Sequence, residues 1–326
     1  MTKCLAAATA ALTLFAWSSR TDAQMSHALR LCGDPELSVD IRISACTVVI
    51  QSGHETPRNL AAAYNNRGSA YVVKGDPDGA IKDLDEAIRL NPHAAAAFHN
   101  RGTAFFAKGA LDRAIQDYDE AIRLNPQYST AFYHRGNAFR AKGEPDRAIG
   151  DYDRAIRFDP KLAVAFNNRG DIYLAKGDHE RAIDDYTRAI ALEPAHAVLW
   201  NSRCWARAIV GHLDAALADC DAALRLVPRD ARTLDSRGLV YLKLNRLTEA
   251  LADYDAALGL DPKQAQSLYG RGLVKHKKGD LVGAAADIGA AKALRPDIED
   301  QKVRHRIASL AAVLEVKAPV RTYYVG

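Results

Sequence analysis

The sequence lacks any long apolar stretch beyond its first 20 residues and carries little excess of either charge. No later apolar run approaches the roughly 20 residues that a helix needs to cross a bilayer. The formal net charge of +4 over 326 residues does not indicate the concentrated basic face that nucleic-acid binding requires. Hydrophobic residues make up 48% and charged residues 26%, which argues against intrinsic disorder. We therefore expect an ordered protein with no membrane span in its body and no nucleic-acid partner.

Motifs typical of common catalytic and metal sites are also missing. The sequence has no phosphate-binding GxxxxGKS/T loop, no GxSxG nucleophile elbow and no HExxH zinc motif. No CxxC pair and no histidine pair stand at zinc-ligand spacing. The many aspartates recur with the repeat described below, so their placement needs no catalytic explanation. We therefore predict that the protein is not an enzyme and holds no cofactor or metal.

The first 24 residues have the layout of a secretory signal peptide. A positive start at Met1–Lys3 precedes a largely apolar run of 14 residues, Cys4–Trp17, and then a polar stretch. Thr21–Ala23 offers a small-x-small cleavage site, so we predict a signal peptide over 1–23. The apolar run is short for an uncleaved anchor, and arginine is too sparse for a transit peptide. Export would make this a periplasmic or otherwise exported protein of the bacterial cell envelope, with no transmembrane segment after signal removal.

From residue 61 onward the sequence repeats with a strict period of 34 residues. Such a period is the signature of stacked supersecondary units. Each repeat has a large residue at position 4, Ala at position 20 and Pro at position 32, and six of the seven have Gly at position 8. The repeats begin at Ala61, Ala95, Ser129, Ala163, Ala197, Ala231 and Ala265.

The repeat positions predict two helices joined by a tight turn. Positions 4, 8 and 11 fall on one helix face, and so do positions 20, 24 and 27. The small residues at positions 8 and 20 allow two antiparallel helices to approach closely. Position 15 is Gly in every repeat except for Asn245, which suits the left-handed residue at a helix end. Proline at position 32 ends the second helix near the residue before it.

This pattern resembles the tetratricopeptide repeat (TPR) over residues 61–296, and we compare the chain with the exported bacterial type of that family. The resemblance implies an all-α, right-handed superhelical solenoid of seven 34-residue helix-turn-helix repeats. One departure is consistent: position 7, usually Leu in the family, is Arg in every repeat here. The fifth repeat departs again, with Arg207 in place of the aromatic residue at position 11.

The two ends of the array differ from the regular repeats. Residues 25–58 are predicted to form a degenerate N-terminal capping repeat, half of a helical hairpin followed by a polar loop over 52–58. Residues 59–296 are predicted to hold the seven repeats. Residues 297–326 are predicted to form a C-terminal capping helix and tail, because apolar residues recur there at helical spacing.

The arginine at position 7 has a counterpart, since position 23 is Asp in all seven repeats. The two positions lie at similar heights on the two helices, and an unpaired buried charge costs several kcal/mol. We therefore predict a ladder of structural ion pairs, within or between adjacent repeats. The alternative, an anion-binding strip, is disfavoured because no anion site needs so many copies at this spacing. In the first four repeats the residues are Arg67, Asp83, Arg101, Asp117, Arg135, Asp151, Arg169 and Asp185.

Four cysteines follow the predicted signal peptide, an even number that suits an oxidising compartment. Cys204 and Cys220 replace the usual Gly at position 8 and Tyr at position 24 of one repeat, so they face each other and predict a disulfide. The alternative is a pair of small buried thiols. Cys32 and Cys46 are a second candidate pair, which requires residues 32–36 to fold back along the following helix.

In the tetratricopeptide family the first helices line a concave groove. Positions 2, 5, 6, 9, 12 and 13 face the bound segment, and we call the surface they form the inner face. The resemblance implies an asparagine ladder that holds the backbone of an extended peptide, since an amide offers both a donor and an acceptor. The alternative is that these amides merely solvate the groove. The predicted groove residues are Asn65, Asn66, Asn100, Tyr133, His134, Asn167, Asn168, Asn201 and Trp205.

Toward the C-terminus the inner positions become basic, with Arg232, Lys243, His276 and Lys277. They indicate either a solvated basic edge or a site for an acidic segment. From the repeat pattern and the groove residues together, we predict a non-enzymatic scaffold or adaptor of the cell envelope that binds a protein or peptide partner. The alternatives are a chaperone-like holder of unfolded chains, a carbohydrate-binding or hydrolytic envelope protein, and a cytoplasmic adaptor.

Overall fold

The computed structural model describes residues 26–53 and 55–298. The predicted signal peptide over 1–23 lies outside the described residues, and so does nearly all of the predicted capping helix and tail over 297–326. Among the helices that are described, none is long and apolar enough to cross a membrane.

The chain folds into helices that pair in sequence order, and its described residues contain no strand. Packing divides the chain into two units, Met1–Pro160 and Lys161–Gly326. The helices of unit 1 are α1 (26–33), α2 (Val39–Gln51), α3 (Pro57–Lys74), α4 (Pro77–Leu90), α5 (Ala95–Ala107), α6 (Leu111–Leu124), α7 (Ser129–Ala141) and α8 (Pro145–Phe158). The helices of unit 2 are α9 (Ala163–Ala175), α10 (His179–Leu192), α11 (Ala197–Val210), α12 (Leu213–Leu226), α13 (Ala231–Lys243), α14 (Leu247–Leu260), α15 (Ala265–Lys277) and α16 (Leu281–Leu294).

The turn residue of each regular repeat has a left-handed backbone. Gly109 follows α5 with a φ of 75°, and Asn245 takes the same place after α13 with a φ of 57°. Asn245 is the one residue other than glycine with a positive φ in the described part of the chain. Side chains with a Cβ disfavour this region, and asparagine is among the few that tolerate it. The turn residue therefore marks where each first helix ends and the second helix turns back.

Within each repeat, small residues let the two helices approach closely. A Cβ atom added at Gly102 would lie 2.8 Å from Cε1 of Tyr118, and one added at Gly136 would lie equally close to Tyr152. The tyrosines Tyr118 and Tyr152 of unit 1 and Tyr186 of unit 2 have no exposed surface. Buried tyrosine side chains thus fill the space between paired helices, which leaves no room for a side chain larger than glycine opposite them.

The N-terminal end differs from the sequence prediction in two ways. Residues 26–33 form helix α1, which packs beside α2, so this region is a pair of helices rather than half of a hairpin. Helix α3 begins at Pro57, inside the stretch 52–58 predicted as a loop. The Thr56 hydroxyl caps this helix by accepting a hydrogen bond from the Asn59 backbone N–H at 3.2 Å. Proline suits the first turn because the N–H it lacks would have no helical partner there.

The predicted all-α repeat fold is confirmed. Six of the first helices begin at the predicted residues, Ala95, Ser129, Ala163, Ala197, Ala231 and Ala265. The right-handed superhelical course and the division into capping and repeat segments stay predictions.

Candidate protein-binding face

The arginine at position 7 pairs with an aspartate inside its own repeat and, in several repeats of each unit, also with an aspartate of the repeat before it. Arg101 donates from Nε and Nη2 to the two carboxylate oxygens of Asp117, at 2.9 and 2.7 Å, within its own repeat. Its Nη1 donates to Asp85 of the preceding repeat at 2.7 Å. Burial raises the pKa of Asp117, although its hydrogen bonds to Arg101 act in the opposite direction. Because a bidentate pair fixes both groups in one plane, Arg101 holds the two helices of its repeat in register.

The same bidentate arrangement recurs in both units. It joins Arg67 to Asp83, Arg135 to Asp151, Arg169 to Asp185, Arg203 to Asp219, Arg237 to Asp253 and Arg271 to Asp287. The bond to the preceding repeat recurs at Asp119, Asp221 and Asp255. The guanidinium groups therefore face carboxylates, which favours the structural interpretation over an anion-binding strip. The partners at position 25 were missed, although five of the seven repeats have Asp there.

Both candidate cysteine pairs lie at disulfide distance. The Cys204 and Cys220 sulfurs are 2.00 Å apart, with 5.4 Å between the Cα atoms. The Cys32 and Cys46 sulfurs are 2.13 Å apart, with 4.7 Å between the Cα atoms. A turn over 34–37 folds α1 back along α2 and brings this second pair together. The backbone geometry therefore permits both disulfides.

On the inner face of unit 1, asparagine side chains hydrogen-bond to one another. Asn65 Nδ2 donates to Asn66 Oδ1 at 3.3 Å, and Asn100 Nδ2 donates across the repeats to Asn65 Oδ1 at 3.0 Å. His99 Nδ1 lies 3.2 Å from Asn100 Oδ1. The position-6 amide of one repeat therefore satisfies the position-5 amide of the repeat before it. All four side chains are half-buried, so the connected amides keep part of their surface in solvent.

Aromatic and imidazole rings continue this surface onto α7. The His99 ring centroid lies 5.0 Å from that of His134 and 5.2 Å from that of Tyr128. The Tyr133 ring lies 5.1 Å from His134. Burial lowers the pKa of His99 and, to about 4, that of His134, so both imidazoles are neutral at pH 7. We call this surface the amide–ring strip, formed by Asn65, Asn66, His99, Asn100, Tyr128, Tyr133 and His134.

On the inner face of unit 2, two position-5 amide oxygens lack a hydrogen-bond donor among the described residues. Position 5 is Asn167, Asn201 and Asp235 on α9, α11 and α13. The Oδ1 atoms of Asn167 and Asn201 are buried and accept no hydrogen bond from any described residue. The next position 6 explains this, because Ser202 and Ser236 stand where unit 1 has the longer asparagine. The Ser236 hydroxyl instead donates to a backbone carbonyl of its own helix at 3.0 Å.

Asn201 lines a cavity of about 410 Å³ on the inner face of unit 2, which we call the acceptor cavity. The Tyr186 hydroxyl donates to Asp171 at 2.8 Å, and the Ser267 hydroxyl donates to the buried Asp235 at 2.7 Å. Among the described residues, no group of three or more His, Cys, Asp or Glu side chains is placed to hold a metal ion. The polar lining of the cavity is Asp171, Asn201, Trp205, Arg232, Asp235, Asp261 and Gln264, with serines and a second glutamine beside them.

The basic residues predicted at the C-terminal inner positions do not form one cluster. Lys243 Nζ donates to the backbone carbonyl of Ala208 at 2.6 Å, near the end of α11, and burial lowers the pKa of Lys243. Arg232 lies 3.8 Å from Asp230, and its side chain is 71% exposed. His276 lines a separate, mainly apolar cavity between α15 and α16. Lys243 thus completes a helix end, and a site for an acidic segment has no support here.

The predicted groove residues fall into three local groups. Asn65, Asn66, Asn100, Tyr133 and His134 belong to the amide–ring strip, whereas Asn201 and Trp205 line the acceptor cavity. Asn167 and Asn168 form the third group, in which Asn167 donates to Asn168 at 3.3 Å. That these residues hold a peptide backbone stays a prediction. The residues missed are His99, Tyr128, Asp171, Asp235, Asp261 and Gln264. Of these, His99, Asp171 and Asp235 share repeat positions 5 and 9 with predicted residues.

Family models agree with the repeat seen in the structure. Models described as tetratricopeptide repeat match residues 65–129 and 163–196, and a model described as TPR repeat matches 136–176 and 238–279. Together the matched residues cover just over half of the chain. A comparison with curated proteins finds no match.

Solved structures of helical repeat proteins resemble the fold. The APC/C hetero-tetramer Cut9–Hcn1 has a TM-score of 0.59 at 18% identity, covering 87% of this chain and 55% of that chain. A tetratricopeptide repeat protein from Parabacteroides merdae has a TM-score of 0.57 at 21% identity, covering 76% and 98%. PilF from Pseudomonas aeruginosa has a TM-score of 0.54 at 20% identity, covering 66% and 98%. With family models matching more than half of its length, the chain belongs to the tetratricopeptide repeat family.

Proposed function

We propose that the protein is a non-enzymatic adaptor that binds an extended segment of a partner protein along its inner face. Tetratricopeptide repeat proteins bind protein or peptide partners, and their scaffold is typically non-catalytic. The choice of the inner face rests on the side chains of this chain.

The amide–ring strip of unit 1 is the observation that carries the proposal. Hydrogen bonds link Asn66, Asn65, Asn100 and His99 in that order, and a ring contact at 5.0 Å continues the strip to His134. These contacts hold the side chains in one arrangement before a partner arrives, which lowers the entropic cost of binding. Amides and rings that keep part of their surface in solvent recur in protein-binding surfaces, because they combine hydrogen bonds with apolar contact.

The course of the strip suits an extended segment. It crosses the first helices α3, α5 and α7, and each of these contacts the next within unit 1. An extended backbone presents donors and acceptors on both sides, which amides match, while its side chains can pack on the rings of Tyr128 and Tyr133. A segment lying across several repeats therefore finds both kinds of contact along one line.

We also propose that the protein acts in the cell envelope. Two cysteine pairs at disulfide distance support this, since disulfides persist in oxidising compartments. Cell fractionation followed by intact mass measurement tests the location. The expected result is a periplasmic protein that begins at Gln24 and carries two disulfides. A cytoplasmic protein with free thiols and an intact N-terminus would contradict it.

Photo-crosslinking at two positions of one repeat tests the binding face. A benzoylphenylalanine replaces Tyr133 on the inner face in one variant and Gly150 on α8 in the other. Gly150 is a matched control because it is exposed and a Cβ added there has nothing within 4 Å. We expect the Tyr133 variant to capture a discrete partner in cells and the Gly150 variant to capture none.

Two results would move the binding face elsewhere. One is equal capture at both positions, and the other is capture at Gly150 alone. Replacing Asn65 and Asn100 by Leu in the Tyr133 variant is expected to abolish capture, because it removes the amides that order the strip. Circular dichroism checks that these variants remain folded.

A further inference from the structure

We propose that the acceptor cavity of unit 2 binds a basic side chain, lysine or arginine, of the partner segment. This inference rests on the proposed function, because the side chain belongs to a segment bound along the inner face. The bound segment would then carry a positive charge at the acceptor cavity. The basic residues at the C-terminal inner positions had indicated an acidic segment as one alternative.

Two hydrogen-bond acceptors in the cavity lining lack a donor in the described part of the chain. Asn201 Oδ1 and Gln264 Oε1 are buried and accept no hydrogen bond from any described residue. A buried acceptor without a donor costs about 1–3 kcal/mol, and a ligand that donates to it removes this cost. Ammonium and guanidinium groups carry several donors and no acceptor. Ammonium and guanidinium groups can therefore supply the donors that the cavity lining lacks.

A comparison inside the chain shows why the Asn201 oxygen lacks a donor among the described residues. In unit 1, Asn65 Oδ1 accepts from Asn100 Nδ2 at 3.0 Å. Asn201 stands at the same repeat position, but the residue that would serve it is Ser236, whose hydroxyl bonds to its own helix. The shorter side chain leaves the Asn201 oxygen for a donor that comes from outside the repeat.

The charged side chains that line the cavity are mainly acidic. Asp171, Asp235 and Asp261 line the cavity, and Arg232 is the one cation among its described lining residues. Arg232 does not fill the cavity, because its side chain is 71% exposed and approaches Asp230 instead. Asp235 is 6% exposed, so a cation that reaches it interacts with little screening by salt. An acidic ligand would meet three carboxylates and is excluded.

The cavity has a size and an aromatic residue that suit a long basic side chain. The cavity of about 410 Å³ is large enough for one long side chain. The Trp205 indole on its wall offers an apolar and electron-rich face, on which the methylene stem and the cation of lysine or arginine can pack. Trp205 stands at position 9, where the repeats of unit 1 have the smaller Ser69, Thr103 and Asn137.

The Trp205 indole also reports occupancy of the cavity. Full-length protein labelled with ¹⁵N-tryptophan is titrated with acetylated, amidated pentapeptides of glycine that carry lysine, arginine or norleucine at the centre. The Trp205 signal is assigned from its loss in Trp205→Phe. We expect the lysine and arginine peptides to shift this signal saturably and to bind at least about tenfold tighter than the norleucine peptide, because charged hydrogen bonds are lost with norleucine.

Two variants and one control place the interaction in the cavity. Asp235→Asn keeps an acceptor for Ser267 but removes the negative charge. We expect it to lower the affinity for the basic peptides about tenfold. Ser236→Asn supplies Asn201 with the donor that unit 1 has, and we expect weaker binding without a change in the cavity's acidic groups. Asp184→Asn, at an exposed position of α10, is the matched control and should leave the affinity unchanged.

The outcomes separate this inference from the proposed function. Equal shifts with norleucine, no shift with any peptide, or affinities unchanged in both Asp235→Asn and Ser236→Asn would each overturn the assignment of a basic side chain. Circular dichroism confirms that each variant is folded before titration. Capture at Tyr133, in the other unit, tests the proposed function by itself and does not depend on the cavity.

Discussion

The inner faces of the two units use the same repeat positions but differ in hydrogen bonding. In unit 1, Asn65 at position 5 accepts a hydrogen bond at 3.0 Å from Asn100, at position 6 of the next repeat. In unit 2, Asn167 and Asn201 are at position 5, but position 6 of the next repeat is a serine in both cases. Both amide oxygens lack a donor among the described residues. A difference of one side-chain length at position 6 therefore separates a position-5 amide oxygen that has a donor, Asn65, from two that lack one within the described ranges.

The comparison separates the positions that build the stack from those that distinguish its surfaces. Arginine at position 7 and aspartate at position 23 occur in all seven repeats, and each pair forms a bidentate contact inside its own repeat. Positions 5, 6 and 9 vary. Unit 1 has rings and amides there without a carboxylate, whereas unit 2 adds the carboxylates of Asp171 and Asp235. The identity of a partner is therefore to be sought in the variable positions.

The largest difference expected between the units concerns the buried ion pairs. In unit 1, Asp151 is held by Arg135, while in unit 2 Asp219 is held by Arg203 and also by Arg207 at 2.8 Å. Arg135→Leu leaves a buried carboxylate without its partner, and we expect it to lower the local free energy of unfolding by about 4 kcal/mol. Arg203→Leu should cost about half as much, because Arg207 remains. Hydrogen–deuterium exchange of α7–α8 and α11–α12 measures both losses.

A double variant controls for lost packing. Arg135→Leu with Asp151→Leu removes both charges, and we expect it to recover most of the lost stability. Equal losses for Arg135→Leu and Arg203→Leu would contradict the second contact assigned to Arg207.

The next largest effect is the response to a reductant. Cys204 and Cys220 cross-link α11 and α12 of unit 2 at a sequence separation of 16, and closing a loop of this size contributes about 3 kcal/mol. We expect dithiothreitol, or Cys204→Ala with Cys220→Ala, to lower protection from hydrogen exchange in these two helices. Helices α5 to α8 of unit 1 contain no cysteine and serve as the internal control. Protection that is unchanged in α11 and α12 would count against the disulfide.

A smaller effect, confined to unit 1, is expected from pH. Burial, with a contribution from His99, lowers the pKa of His134 from 6.5 to about 4, and the rings of His99, Tyr118 and Tyr133 face it. The unfolded chain therefore takes up this proton at a higher pH than the folded chain. The stability that neutral His134 contributes is fully present well above pH 6.5 and is lost as the pH falls toward 4, by about 3 kcal/mol.

Hydrogen exchange in α5 and α7 between pH 7 and 4.5, corrected for the intrinsic rate, measures this loss. We expect His134→Phe to reduce the pH dependence by more than half. Unit 2 has no histidine at positions 5 and 6 and should change less. An equal pH dependence in α9 and α11 would show that the histidines of the amide–ring strip are not its source.

The smallest effect comes from exchanging the residues at position 6. Asn100→Ser leaves Asn65 Oδ1 without its donor and should lower the local stability of α3 and α5 by about 1 kcal/mol. Ser202→Asn gives Asn167 Oδ1 a donor and should raise the local stability of α9 and α11 by a similar amount. Exchange rates of both pairs of helices measure the two changes. Two changes of the same sign would refute the role given to position 6.

Local sterics explain why the fold can be predicted well from the sequence. Asn245 was assigned to the left-handed turn because few residues other than glycine adopt that backbone, and the structure gives it a φ of 57°. The alanines at position 20 and the tyrosines at position 24 follow the same logic, because close helix packing demands a small residue opposite a large one. These choices depend on a single residue and its repeat phase.

The candidate site was less accessible to prediction because it depends on distances between repeats. The contact of Arg101 with Asp85 and the bond from Asn100 to Asn65 both cross from one repeat to the next. Their existence depends on how closely successive first helices stack, which the period alone does not specify. The unsatisfied oxygen of Asn201 was missed for the same reason, since it results from the reach of the serine hydroxyl in the next repeat.

Mapping the binding position of a basic peptide on the intact chain tests the difference between the two inner faces most directly. A pentapeptide with a central lysine and a terminal photo-crosslinker is irradiated with the full-length protein, and mass spectrometry locates the attachment. We expect attachment within residues 171–266, lost in Asp235→Asn and retained in Asp184→Asn. Attachment chiefly to α3, α5 and α7, or attachment that persists in Asp235→Asn, would contradict the assignment of the basic side chain to unit 2.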